Sequence, residues 1–213
     1  MYLSRLILNP RHRRVQSEIA SPYEMHRSIM CAFPDDLGPD EERVLFRLEA
    51  EARDRQPTLL VQSWNMPDWS WLGEPEAQGY LATTNLPNPA VKPFQLKLSE
   101  GQTLAFRLRG NPTVKRDGKR VGLYSQKEQE EWLARKAEQS GIQVISVRTS
   151  HEQMVTTVIH RGNSTHHVKL LSVRFDGYLR VCDPERLWRA VRRGVGSAKA
   201  FGFGLLSLAP ANP

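Results

Sequence analysis

A chain of 213 residues fits one domain or two small ones, and 39% hydrophobic with 25% charged residues suits a packed core rather than a disordered chain. The formal charge of +7 and a pI near 9.7 favour a polyanionic partner, nucleic acid ahead of an anionic membrane surface. No run reaches the roughly 20 apolar residues of a membrane span, and the opening MYLSRLILNPRHRR lacks a signal-peptide pattern, so a cytoplasmic protein without membrane association is expected.

Residues 2–9 are largely apolar on both alternating faces, which suits a central strand, and a basic loop follows from Arg11 to Arg14. Ser21-Pro22-Tyr23-Glu24 opens a helix: serine as the cap, proline in the first turn, glutamate completing a capping box. Pro34-Asp35-Asp36 stops that helix near Phe33. Strands are expected at 43–50 and 57–64, then a long proline-rich loop over 65–95 that holds Trp69 and Trp71. Residues 102–109 alternate as a half-exposed strand with a basic outer face, and Asp117-Gly118 marks a turn. Ser125 and Glu128 form a second capping box for a helix ending at Gly141. Strands follow at 142–149, 152–160 and 166–175, with hairpin turns at 161–164 and at Asp176-Gly177 leading into a strand over 178–182. Asp183-Pro184 caps a helix that ends at Gly194, and a glycine-rich loop leads to a last strand at 205–209. Cys31 and Cys182 lie in apolar segments without metal-type spacing and read as buried free thiols.

Each half thus reads as strand, helix, strand, strand. That pattern is α+β: two tandem ferredoxin-like (split βαβ) domains with antiparallel sheets. Residues 1–95 would form an N-terminal domain with the active-site helix. Residues 96–213 would form a C-terminal one with a basic hairpin and the glycine-rich loop, the boundary falling somewhere between about 85 and 125.

On the helix from Pro22, one stripe (Pro22, Met25, Ile29, Phe33) suits core contact, and the adjacent one carries Tyr23, His26, Arg27 and Met30. A phenol, an imidazole and a guanidinium near an anion-attracting helix N-terminus fit internal transesterification of RNA. That reaction needs proton transfer at the 2′-OH and at the 5′-oxygen, and charge stabilisation on the phosphorane. Structural packing explains the same spacing, and periodicity alone leaves both readings open. Arg107, Arg109, Lys115, Arg116, Lys119 and Arg120 crowd one segment as candidate phosphate contacts, or as a solvated loop. The ribbon carrying His160, Arg161, His166, His167 and Lys169 suits insertion beside an RNA stem, or an ordinary edge hairpin. The glycines of 194–204 follow a helix and precede a strand, the reverse of a dinucleotide-binding turn, and no GxxxxGK[ST] occurs; Lys199 favours phosphate contact there. The scattered histidines offer no metal site, and no GxSxG supports a serine hydrolase.

Four segments, YLSRLILNPR, SPYEMHRSIMCAF, RLRGNPTVKRDGKRVGL and RRGVGSAKAFGFGLLSLAP, occur in an order that resembles the CasE family of CRISPR-associated endoribonucleases. These are the repeat-cleaving subunits of type I-E Cascade. The resemblance implies tandem ferredoxin-like domains and metal-independent cleavage of precursor CRISPR RNA at the 3′ base of the repeat stem-loop. It implies that the processed hairpin stays bound, with other Cascade subunits as partners and no cofactor. It makes Tyr23 and His26 the catalytic pair; the leading assignment has His26 passing a proton to the 5′-oxygen and Tyr23 orienting or assisting at the 2′-OH, with the division of acid and base roles between them left open. Arg27 or a lysine from elsewhere would offset the phosphorane charge. The 160–169 ribbon, the Gly118-Lys119-Arg120 loop and Lys199 become RNA contacts. The alternative is a subunit that binds the RNA hairpin without cutting it.

Overall fold

The computed structural model describes residues 1–38, 40–49, 56–161 and 164–211, without the side chains of 151–153, 158–161 and 164–167. The chain divides into two units, Met1–Gln95 with Thr157–His166 and Ala200–Gly202, and Leu96–Thr156 with His167–Lys199 and Phe203–Pro213.

The first unit is built on β1 (Tyr2–Ile7), β2 (Leu45–Glu49), β3 (Thr58–Ser63) and β4 (Ala90–Pro93), in the order β2-β3-β1-β4. Each neighbouring pair is antiparallel, with Leu6 opposite Leu59 and Phe46 opposite Val61. Between β1 and β2 run α1 (Arg13–Ala20) and α2 (Pro22–Met30). Their apolar residues Val15, Met25 and Ile29 join Leu6, Phe46, Leu59 and Val61 in one core. Arg13 and Arg14 of the expected basic loop at 11–14 instead begin this helix. Val15 and Glu18 are the buried residues of α1, so its inward face is half carboxylate and no apolar period announces it. The proline-rich stretch likewise supplies β4, whose pairing with β1 and not its own composition makes it a strand.

The capping box expected at Ser21 is not made. Ser21 ends α1 as well as starting α2, and its hydroxyl lies 3.2 Å from that of Thr157 instead of over the helix N–H groups. Glu24 turns to Arg27.

The second unit holds β5 (Thr103–Gly110), a hairpin of β6 (Thr113–Arg116) and β7 (Lys119–Gly122), α3 (Gln126–Gln139), most of β8 (Ile142–Arg161) and β9 (Ser164–Val181), whose ends over 157–166 belong to the first unit, α4 (Pro184–Arg193) and β10 (Leu206–Pro210). Its sheet order is β10-β5-β9-β8. This is the same arrangement as in the first unit, the outer strand pairing with the first, so both sheets follow the ferredoxin-like pattern and the α+β expectation holds. Both expected caps on these helices are made: Ser125 and Glu128 exchange hydrogen bonds at the start of α3, and Asp183 accepts from Arg186 N–H on α4. β5 alternates inward Leu104, Phe106 and Leu108, all buried.

One expected hairpin is absent. Asp176-Gly177 sits inside β9, opposite Arg107 and Phe106, and not at a turn. Gly177 serves close approach instead: a Cβ there would overlap the Ser146 carbonyl. The strands read separately at 142–149 and 152–160 are one strand, β8. Cys31 and Cys182 are free thiols but exposed, correcting the buried reading. Ile29, Ala32 and Phe33 take the inward positions around Cys31, and strand alternation turns Val181 inward and Cys182 out. No helix among the described residues is long and apolar enough to cross a membrane.

Candidate active site

Pro22 at the first turn leaves α2 without a donor to lose, and the burial of Met25, Ser28 and Ile29 sets the helix's rotation on the sheet. Tyr23 and His26 then lie on the partly accessible side, and Arg27 is exposed. The His26 imidazole stacks on Phe46 of β2, ring centroids 6.1 Å apart and planes 8° from parallel. Its Nδ1 is buried with no hydrogen-bond partner among the described residues, so proton exchange with a substrate falls to Nε2. Burial pushes the His26 pKa below its ordinary 6.5, because the imidazolium is harder to desolvate than the neutral ring.

Tyr23 packs against Phe201, centroids 6.0 Å apart. Phe201 closes the single turn Lys199–Phe201, and Gly202 follows with φ +82. A Cβ at Gly202 would come within 3.1 Å of the Phe46 ring, so the loop reaches Phe46 because this residue is glycine. Phe46 and Phe201 thus flank the catalytic candidates, and neither carries a sequence signal beyond an apolar residue in a strand or a loop. Arg27 Nη1 meets Glu24 Oε2 at 3.0 Å, with the arginine side chain 68% exposed. Such a pair contributes little and leaves the guanidinium available to an anion.

Behind α2 lies a buried network that the sequence does not announce. The Glu18 carboxylate accepts from Ser28 Oγ at 2.5 Å, Tyr80 Oη at 2.5 Å and Arg14 Nε at 2.8 Å. Arg14 also donates to Ser28 Oγ at 2.7 Å and lies over the Trp71 ring at 4.9 Å. The Tyr80 hydroxyl is held protonated, its pKa raised by burial first and then by the Glu18 charge. Ser28 belongs to α2, so this network ties α2 to α1 and to the segment before β4.

The basic candidates divide into two kinds. Arg107 and Arg174 grip the two oxygens of Asp176, at 2.6 and 2.9 Å, and Arg109 donates to Ser172 Oγ at 2.8 Å while lying over Phe203. These arginines are bound into their own sheet. Lys115, Arg116, Lys119 and Arg120 are exposed on the β6–β7 hairpin, whose turn Asp117-Gly118 has φ of 48 and 79. There Lys115 faces Arg120 and Arg116 faces Lys119. Like charges directly opposite are unfavourable unless an anion lies between them, which suits a surface for phosphate. Lys169 is exposed on β9, and Lys199 Nζ donates to the Gly196 carbonyl at 2.6 Å. The side chains of His160 and Arg161, with those of His166 and His167, lie outside the described residues. Among the described residues no group of three His, Cys, Asp or Glu side chains is placed to hold a metal.

A folded-state pKa below the unfolded value means that His26 contributes stability above pH 6.5 that is lost as pH falls through the depressed folded value. We expect the His26 ring resonances to titrate below 6.5 in the free protein. We also expect the acid-side loss of stability to shrink in a His26→Ala variant; a midpoint at or above 6.5 contradicts the desolvated ring.

The CRISPR associated protein family model matches residues 1–210. The chain is 39% identical to the CRISPR-associated endoribonuclease Cse3 of Thermus thermophilus, over 99% of this chain and 100% of that protein. It is 30% identical to the CRISPR system Cascade subunit CasE of Escherichia coli K12, over 99% and 100%. The structure of Thermus thermophilus Cse3 bound to an RNA representing a pre-cleavage complex superposes with a TM-score of 0.83 at 38% identity, covering 98% of each chain. With the fold, the Tyr23–His26 helix and a match over almost the whole chain in agreement, this protein belongs to the family of CRISPR associated proteins.

Proposed function

We propose that this protein is an endoribonuclease that cleaves precursor CRISPR RNA at the 3′ base of the repeat stem-loop and stays on the mature hairpin as a Cascade subunit in the cytoplasm. The full-length likeness to Cse3 and CasE supports the activity and the partners. The observation that carries the chemistry is the half-buried imidazole one turn along α2 from a phenol, with Nε2 as its reactive nitrogen.

In this reading the ribose 2′-oxygen attacks the adjacent phosphorus as the bond to the 5′-oxygen breaks. The products are a 2′,3′-cyclic phosphate and a 5′-hydroxyl. Tyr23 orients or assists at the 2′-OH, and His26 passes its proton to the departing 5′-oxygen. A bound phosphate acts against the effect of burial and favours the imidazolium, so the proton donor forms where it is used. Arg27, on the next position of the helix, offsets charge on the phosphorane. No metal takes part. Residues 1–95 act as the catalytic domain. Residues 96–213 act as the RNA-holding domain, with Lys115, Arg116, Lys119, Arg120, Lys169 and Lys199 as its RNA contacts, while Arg107 and Arg109 hold the sheet. The ribbon residues His160 and Arg161 would add to these contacts.

A repeat stem-loop with a single 2′-deoxynucleotide just before the cut is expected to remain bound and uncut, because the nucleophile is gone. EDTA is expected to leave cleavage of the all-ribose RNA unchanged. Cutting of the deoxy substrate, or loss of activity in EDTA, would replace transesterification by a metal-activated water.

A further inference from the structure

The second unit carries cations that neither the catalytic helix nor the hairpin's outward face accounts for. Two clefts open there. One, of about 300 Å3, is walled by Lys115 and Arg120 of the β6–β7 hairpin, by Lys136 of α3 and by Gly196. The other, of about 440 Å3, is walled by the same Lys136 and Gly196 together with Arg189 and Arg193 of α4. The shared residues make the two clefts neighbours, with Lys136 between them.

Their chemistry is one-sided. Among the described residues no carboxylate lines either cleft. Lys115 and Arg120 are cross-strand partners, so both point to one face of the hairpin, leaving Arg116 and Lys119 on the other. Arg189 and Arg193 are four apart on α4 and share a face, and both are exposed. Arg186, one turn earlier, is structural, its guanidinium donating to the Glu138 and Gln139 carbonyls at the end of α3, at 2.8 and 3.3 Å. That contact fixes α4 against α3 and so holds Arg189 and Arg193 beside Lys136. The bend between α4 and β10 is glycine, with φ of 77 at Gly194 and 83 at Gly196, and a Cβ at Gly196 would meet Trp132 at 3.0 Å. The wall is therefore backbone at that point, with no side chain to obstruct a strand passing over it.

We propose that these clefts form one track for the phosphate backbone of single-stranded RNA flanking the repeat stem-loop. The inference rests on the RNA-processing reading and adds a second contact region to it. A duplex offers its phosphates in two rows across a groove, for which a protruding basic hairpin is suited. A concave path with cations on its walls admits one strand. The precursor continues on both sides of its hairpin, so a flanking strand is present whenever the substrate is bound.

The double variant Arg189→Gln/Arg193→Gln, which changes exposed positions outside the catalytic helix, tests the track. Binding is measured by fluorescence anisotropy across a salt series. The RNAs are uncleavable 2′-deoxy forms of the bare stem-loop and of stem-loops extended by roughly ten nucleotides at the 5′ or the 3′ end, the span of a small single-strand site. For the wild type one extension is expected to tighten binding about tenfold. It should also steepen the dependence of log K on log salt by about 0.7 for each phosphate engaged. The variant is expected to lose that gain and keep the affinity for the bare stem-loop. The track is overturned if the variant keeps the gain, or if its affinity for the bare stem-loop falls as much as for the extended one. Unchanged RNA binding with lost assembly into the multisubunit complex would make the surface a protein contact and overturn it too. Failure of the wild type to bind the bare stem-loop is a separate result, against the RNA-processing reading itself.

Discussion

Replacement of His26 by alanine is expected to slow cleavage of the repeat stem-loop by about 10²–10⁴-fold, the usual contribution of a positioned general acid or base. Affinity for the RNA should change little. His26 packs on Phe46 and its buried Nδ1 makes no hydrogen bond among the described residues, so its removal breaks no polar contact of the fold. Its removal leaves the hairpin cations and the clefts of the second unit untouched. Single-turnover cleavage and equilibrium binding, measured on the same preparation, separate the two effects. Circular dichroism and the melting temperature confirm that the fold survives, and a His26→Gln variant keeps a polar group while removing the titrating nitrogen. Wild-type rates in both variants would remove His26 from the chemistry. A loss of binding equal to the loss of rate would make it an RNA contact instead.

The second large effect is on stability. Glu18→Ala is expected to destabilise the protein by about 3 kcal/mol, toward the lower end for breaking a buried ion pair, because Arg14 remains partly exposed. The carboxylate is 3% exposed and satisfies Ser28, Tyr80 and Arg14 at once. Without it, the two hydroxyls and the partly exposed guanidinium lose their common acceptor. For a chain of this size the loss corresponds to a fall in melting temperature of roughly 6–12 °C. Calorimetry of Glu18→Ala and Glu18→Gln checks it. The amide keeps an acceptor oxygen and should lie between wild type and alanine. A change in Glu18→Ala within about 0.5 kcal/mol of wild type, the range of an ordinary surface substitution, would falsify the network's role. Because Ser28 lies on α2 two positions from His26, the alanine variant should also cut more slowly.

Several features were legible because their causes are local. The capping residues Ser125 and Asp183 sit beside the N–H groups they satisfy, and both helices begin where those residues place them. The alternation of β5 matches its burial residue by residue. Elements set by distant partners were not legible. α1 shows no apolar period because its buried face is completed by Glu18, whose partners come from α2 and from Tyr80. Asp176-Gly177 has the composition of a turn, yet it runs straight through β9: Arg107 and Arg174 bind the aspartate, and the glycine admits the Ser146 carbonyl. Ser21 is a good cap by composition, but a second helix ending on it changes its backbone and sends its hydroxyl to Thr157.

The same division holds at the site. By itself the sequence determined that Tyr23, His26 and Arg27 share one side of a short helix, because three- and four-residue spacing on a helix is a local property. It also determined the two capped helices and the basic hairpin turn. Only the tertiary structure decided that His26 is desolvated against Phe46, that Tyr23 meets Phe201, and that Lys115, Lys136 and Arg189 line adjoining clefts. The physical reason is that desolvation and charge clustering depend on which strands pair and in what register. Those contacts join residues far apart in the chain, and no periodicity within a segment encodes them.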